Sequence, residues 1–217
     1  MWFFKRHKSL LNRDVFSGMT DWHSHILPDV DDGVKTMDEA LDILRRYAEL
    51  GVAEVWLTPH IMEDIPNTTA ALRERFAELQ AAYDGPLKLH LGSENMLDNL
   101  FEERLAAGDL LPADGNRLLV ETSYFNPPIG LYDMLEQIKS RGYTPLLAHP
   151  ERYMYMEQTD YRRLKAAGVE FQLNLPSLAG MYGRHVRDKA EWLKQHGCYD
   201  CFGTDVHNIH MVDKFLE

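Results

Sequence analysis

Residues 21–33, Asp-Trp-His-Ser-His-Ile-Leu-Pro-Asp-Val-Asp-Asp-Gly, constrain this chain more than any other stretch. They gather His23, His25, Asp29, Asp31 and Asp32 directly after an apolar approach of Val15, Phe16 and Met19. Side chains alternate along an extended strand, so the two imidazoles of His-x-His share one face with their Cα atoms about 7 Å apart. Such a pair suits one divalent ion, and a carboxylate a few residues on suits a second. The same pattern also occurs in surface loops. What decides between the two is whether the rest of the chain delivers more ligands to the end of this strand.

Short apolar runs alternate with helix-period segments, the signature of a βα series with a parallel sheet. The pattern predicts strands over 19–23, 52–58, 87–93, 118–122, 144–148, 169–175 and 199–203, with helices over 37–50, 68–83, 97–107, 130–141, 159–167 and 185–196. Several helices are expected to stop at a glycine, at Gly51, Gly108, Gly142, Gly168 and Gly197. Thr36 with Glu39 resembles a capping box. A further helix would begin near His207. This count suggests an α/β fold closed into a seven-stranded, TIM-like (β/α)7 barrel, and an open doubly wound sheet fits the same pattern. Residues 1–18 read as an N-terminal arm and 19–217 as one domain.

Composition excludes several classes. The net charge of −11 leaves no basic stripe for a nucleic-acid backbone. No apolar run reaches the ~18 residues that would span a membrane. Residues 1–8 lack the apolar core and cleavage site of a signal peptide, so a cytoplasmic location is expected. Their aromatic and basic residues also suit peripheral contact with an anionic membrane, although a packed or disordered arm is the preferred reading. Cys198 and Cys201 are the two cysteines. They fall in an expected strand, where residues three apart face opposite ways, so both are read as core residues. Thr204 and His207 stand where the arginine of a Cys-x5-Arg phosphatase would have to be, which excludes a cysteine nucleophile of that type.

Strand ends carry the chemistry. The first strand ends in His23 and His25, then Asp32; the second ends Thr-Pro-His60; the third ends at Glu94, the fourth at Glu121 and the fifth at His149; the seventh leads into Asp205 and His207. In parallel βα folds ligands collect at the C-terminal ends of the strands. Five imidazoles and four carboxylates exceed the needs of one ion and fit two or three. Nitrogen and oxygen donors without thiolate favour Mn, Fe, Zn or Co.

The segments HSHILPDVDDG, TPH, GSE, LLVE, AHPER and GTDVHN, in this order, closely resemble the polymerase-and-histidinol-phosphatase (PHP) superfamily. Within it they resemble the manganese-dependent bacterial protein-tyrosine phosphatases of capsule and exopolysaccharide loci. The resemblance covers residues 19–208 and implies a distorted seven-stranded barrel of the PHP type with a trinuclear centre. It implies that His23, His25, Glu94 and Asp205 hold one metal, that Glu94 bridges to a second held with Glu121 and His149, and that Asp32, His60 and His207 hold a third. Mn is the ion it favours. Arg152 of AHPER matches the family's phosphate-contacting arginine. The implied substrate is a phosphotyrosine protein, such as the tail of a bacterial tyrosine kinase.

The chain departs from the family after His207. Members commonly carry a second arginine there, whereas Ile209–Lys214 has none and leaves His210, Arg184 or His185 as candidates. Members also usually continue further, which implies truncation at the C-terminus. Two rivals stand beside the tyrosine phosphatase: a histidinol-phosphate or other small phosphomonoester phosphatase, and a non-catalytic PHP module. Residues 121–129, rich in aromatics and proline, could wall a phenyl ring or pack over the rim, and an open, shallow site without a lid is expected.

Overall fold

The computed structural model describes residues 13–216. In chain order its elements are β1 (Thr20–Ser24), α1 (Met37–Leu50), β2 (Glu54–Leu57), β3 (His60–Ile61), α2 (Thr69–Ala82), β4 (Lys88–Leu91), β5 (Glu94–Met96), α3 (Asn99–Ala107), β6 (Arg117–Glu121), α4 (Leu131–Ser140), β7 (Thr144–Ala148), α5 (Gln158–Ala166), β8 (Glu170–Asn174), α6 (Leu175–Leu178), α7 (Arg184–Gln195), β9 (Cys201–Gly203) and α8 (Ile209–Leu216). Short 3-10 turns form at Arg13–Phe16 and Pro150–Arg152.

All strand pairs are parallel, as the βα pattern requires. The expected α/β fold with parallel pairing forms, but the expected count of seven strands is not matched. Among the described residues nine strands make two sheets, of order β1-β2-β4 and β3-β5-β6-β7-β8-β9. The expected strands 52–58 and 87–93 form as β2 and β4, but each stops short, at Leu57 and Leu91, and is followed by a further short strand. Thr58-Pro59 interrupts the first, where proline has no N–H to give a ladder, and Gly92-Ser93 interrupts the second. Beyond the breaks His60 pairs with Glu94, and Asn95 and Met96 pair with Val120 and Glu121. The short pieces β3 and β5 therefore join the larger, half-barrel sheet. Backbone bonds from His25 N to Val206 O (2.9 Å) and from Asp205 N to His23 O (2.8 Å) tie the end of β1 to the segment after β9.

The apolar faces pack in three groups. Ile43, Leu44, Tyr47, Val55 and Leu57 belong to one core beside β1 and β2. Leu118, Val120, Leu135, Ile138, Leu147, Tyr161, Leu164 and Phe171 form another under α3, α4 and α5. Leu119, Leu146, Ala148 and Cys201 form a small third group with Trp22 against it. Most of the arm, residues 1–12, lies outside the described residues. Phe16, at its inner end, is fully buried in the first core.

The Thr36–Glu39 pair makes half of a capping box. The Thr36 hydroxyl accepts from Glu39 N (3.2 Å), but the Glu39 carboxylate accepts from Ile209 N (3.1 Å) and so caps α8 instead. An Arg46–Asp213 ion pair adds a second tie between α1 and α8. Cys198 precedes β9 rather than lying within it, while Cys201 sits on the strand. Both are buried and free. Burial raises both thiols, Cys201 to about 12. Native protein at pH 8 should therefore resist iodoacetamide and keep its activity; rapid alkylation with loss of turnover, read by mass spectrometry beside the assay, would contradict this.

Candidate metal centre

The nine candidate donors meet where the two sheets join. Around His23 Nε2 lie His25 Nε2 at 3.1 Å, Glu94 Oε2 at 3.0 Å and Asp205 Oδ1 at 3.5 Å. His25 Nε2 is 3.3 Å from each of the same two carboxylate oxygens. A tetrahedron with bonds of about 2.0–2.1 Å to its corners has edges of about 3.3–3.4 Å. The four donors are thus spaced as the corners around one small divalent ion.

Two further groups share members with the first. His60 Nδ1 is 3.2 Å from Glu94 Oε2 and 3.0 Å from Glu121 Oε1. Among the described residues neither His60 Nδ1 nor Glu121 Oε1 has a hydrogen-bond partner, although both are buried. Buried polar atoms without partners are costly, and a cation between them would remove that cost. His149 Nε2 lies 3.0 Å from Glu94 Oε1 and 3.9 Å from Glu121 Oε2. The other ring nitrogen of His60 faces Asp32 Oδ1 at 3.6 Å, and His207 Nε2 faces the same oxygen at 3.5 Å. His25, Asp32, His60 and His207 form one possible ligand set, His23, His25, Glu94 and Asp205 another, and His60, Glu94 and Glu121 a third. Asp32 is 65% exposed and His207 23%, whereas Glu94 is fully buried, so the cluster opens to solvent on the Asp32 side.

Neighbours hold these donors in place, and several were not evident from the sequence. Asp31, one residue before the candidate ligand, places Oδ2 2.7 Å from His25 Nδ1 and accepts from His60 N and Gly33 N. Three nearby aspartates in one loop gave no sign of which faces inward. Gln172 places Oε1 3.0 Å from His23 Nδ1 and accepts from His149 N. Asn174, at the end of β8, donates to Asp205 Oδ2 (3.0 Å), and Gln172 shares its face by strand alternation. A partner on the second ring nitrogen fixes the tautomer and orientation of an imidazole ligand. Asp21, pushed up to about 6 by burial, accepts from Thr204 N and Thr204 Oγ1 and so anchors the 204–207 segment.

Close packing and unusual backbone geometry mark the same region. A Cβ at Gly33 would meet His25 O at 2.3 Å, and one at Gly203 would meet His23 Cβ at 2.6 Å. Only glycine allows these approaches. His149 (φ 33°) and Asp205 (φ 52°) adopt left-handed backbone that non-glycine residues seldom take.

The electrostatics favour cations. Burial opposes charging of His23, but Glu94 and Asp205 outweigh it and hold its pKa up at about 9. His25 is likewise buried yet raised, by Asp31, Asp205 and Glu94. Burial would raise Glu94 and Asp205, but the surrounding imidazoles hold both well below the usual carboxylate range. Without metal the cluster takes up protons that an ion must displace, so loading releases protons and weakens as pH falls.

Arg152 stands beside this cluster. Its Nη1 donates to Asp205 Oδ2 at 2.6 Å, and its side chain is 17% exposed. The other basic candidates lie apart from these contacts: His210 is exposed on α8, Arg184 is 92% exposed and faces Asp188, and His185 lines a cavity of about 240 Å³ with Tyr161 and Trp192.

Fold and site together define a parallel α/β protein with a His/carboxylate cluster at its strand ends that is suited to several metal ions. Residues 19–212 match the family described as capsular polysaccharide synthesis, CpsB/CapC, and the chain belongs to that family. Among relatives, tyrosine-protein phosphatase YwqE of Bacillus subtilis is 27% identical over 88% of this chain and 78% of its own length. A putative tyrosine-protein phosphatase CapC of Staphylococcus aureus is 28% identical over the same shares. A solved structure from work on YwqE and on CpsB of Streptococcus pneumoniae, described as unique metal-dependent tyrosine phosphatases, superposes with a TM-score of 0.82 at 27% identity, covering 89% of this chain and 81% of that one.

Proposed function

We propose that this chain is a metal-dependent phosphatase acting on phosphotyrosine in proteins, with a bacterial tyrosine kinase tail as substrate and the cytoplasm as its place of work. The observation that carries the reading is the convergence of nine imidazole and carboxylate groups beside an arginine. His23, His25, Glu94 and Asp205 would hold one divalent ion, Glu94, Glu121 and His149 a second, and Asp32, His60 and His207 a third, with Mn the first choice. Ions in such a centre lower the pKa of water and neutralise phosphoryl charge. Arg152 contributes in-plane donors to the phosphoryl oxygens, where charge grows during transfer. Asp31 and Gln172 keep His25 and His23 oriented. Phenolate is a good leaving group, so a strong general acid is not required.

The surroundings favour a peptide over a small ester. Phe125 and Ile129, on the loop after β6, are 72% and 99% exposed and do not pack over the rim. Met154, half exposed, donates its backbone N–H to Tyr124 O (2.7 Å), which joins the two loops into one apolar ledge. Such a ledge suits the residues flanking a phosphotyrosine. Among the described residues no helix is long and apolar enough to cross a membrane.

The test is a pair of substrates under one metal and pH. A phosphotyrosine peptide should exceed histidinol phosphate by about tenfold or more in kcat/KM, a transition-state difference of about 1.4 kcal/mol. EDTA should abolish the activity and Mn²⁺ restore it. Equal or reversed preference would favour the small-ester phosphatase, and no turnover of either substrate would favour a binding module.

A further inference from the structure

Two tyrosine rings lie against the Arg152 guanidinium. Its central carbon lies 4.4 Å from the centroid of Tyr124 and 4.3 Å from that of Tyr182. The two tyrosines come from different parts of the chain, one on the loop after β6 and the other between α6 and α7. Tyr124 is itself seated against His149 and Tyr153, with ring centroids 5.8 and 6.1 Å away. We infer that Tyr124 and Tyr182 form an aromatic clamp that positions Arg152 to bind the phosphoryl group, an inference that rests on the phosphatase reading above.

The chemistry of the guanidinium makes this specific. It has two flat faces and five N–H donors in the plane. A ring centred over the cation holds it by cation–π attraction, and the clamp stacks the rings on its flat faces. In the plane, Nη1 is bonded to Asp205 Oδ2. Among the described residues no other protein acceptor engages the guanidinium, so the rest of the fork can meet phosphoryl oxygens. A free arginine must give up side-chain freedom when it grips an anion, whereas a clamped one has already done so. Asp205 completes the arrangement, since one carboxylate faces His23 and His25 through Oδ1 and Arg152 through Oδ2. The two tyrosines are positioning residues that act through the arginine.

Steady-state kinetics of the metal-loaded protein on a phosphotyrosine peptide test the clamp, with metal content and thermal midpoint measured in each variant. Tyr182→Leu keeps bulk but removes the π face, and should lower kcat/KM about tenfold with metals retained. Tyr182→Phe restores the ring and should recover most of the rate. In an Arg152→Lys background, which has no planar group to clamp, Tyr182→Leu should cost less than about twofold. The same loss in both backgrounds, or the same loss for leucine and phenylalanine, overturns the clamp. Should Tyr182→Leu fail to fold, Tyr124→Leu and Tyr124→Phe give the same comparison. A wild type that binds orthophosphate but turns over no ester would count against the phosphatase reading alone. The clamp is then judged by calorimetry, where Tyr182→Leu should weaken orthophosphate several-fold and Tyr182→Phe should not. Unchanged affinity in the leucine variant overturns it.

Discussion

Glu94→Gln should lower kcat/KM on a phosphotyrosine peptide by about 10³-fold or more and strip the centre of at least one ion. Glu94 is the member the others share. One of its oxygens lies 3.0 Å from His23, 3.3 Å from His25 and 3.2 Å from His60, while the second lies 3.0 Å from His149. Glutamine keeps the size and one acceptor oxygen but replaces the other with a donor and removes a full negative charge. No rotamer of an amide can offer two anionic oxygens to four imidazole neighbours. The loss should appear in kcat/KM and in elemental analysis together. A variant with wild-type rate and full metal would show that Glu94 serves packing alone.

The second large effect is at Arg152. Arg152→Ala should reduce kcat about 10²-fold while the ions stay bound, the loss expected for one electrostatic donor to the transition state. The ions should stay because Asp205 keeps His23, His25 and the Asn174 amide as neighbours after the guanidinium is gone. Arg152→Lys should recover part of the rate, since an ammonium carries the charge without the planar fork. If Arg152→Ala turned over normally, the arginine would be no more than the partner of Asp205. If it lost metal as well as rate, its role would be to hold Asp205 rather than to contact substrate.

The order of elements was legible because each is written in local pattern. Strand 144–148 and helix 37–50 form as the pattern predicts them, with Gly51 in left-handed backbone at the helix end. The breaks at Thr58-Pro59 and Gly92-Ser93, with a short strand beyond each, were not, because pieces of two and three residues are too short to show a period. Those breaks carry His60 and Glu94 into the second sheet, so the part of the fold hardest to read bears two of the candidate ligands. The candidate ligands themselves stood out because each stands at or just beyond the end of an expected strand. Their supports did not: Asp31 is one of three aspartates in a loop, Gln172 is an uncharged residue in a strand, and Tyr182 lies between helices with no motif around it. What these three do depends on contacts across the fold rather than on neighbours in sequence. Glu39 teaches the same lesson, since its spacing from Thr36 suggested a local cap while its carboxylate serves α8 instead.

Elemental analysis of protein purified without chelator tests the central claim most directly. Two to three divalent ions per folded chain, Mn, Fe or Zn, are expected from donors grouped in three overlapping sets. One ion or none, with the fold intact by circular dichroism and Mn²⁺ supplied in excess, would contradict it.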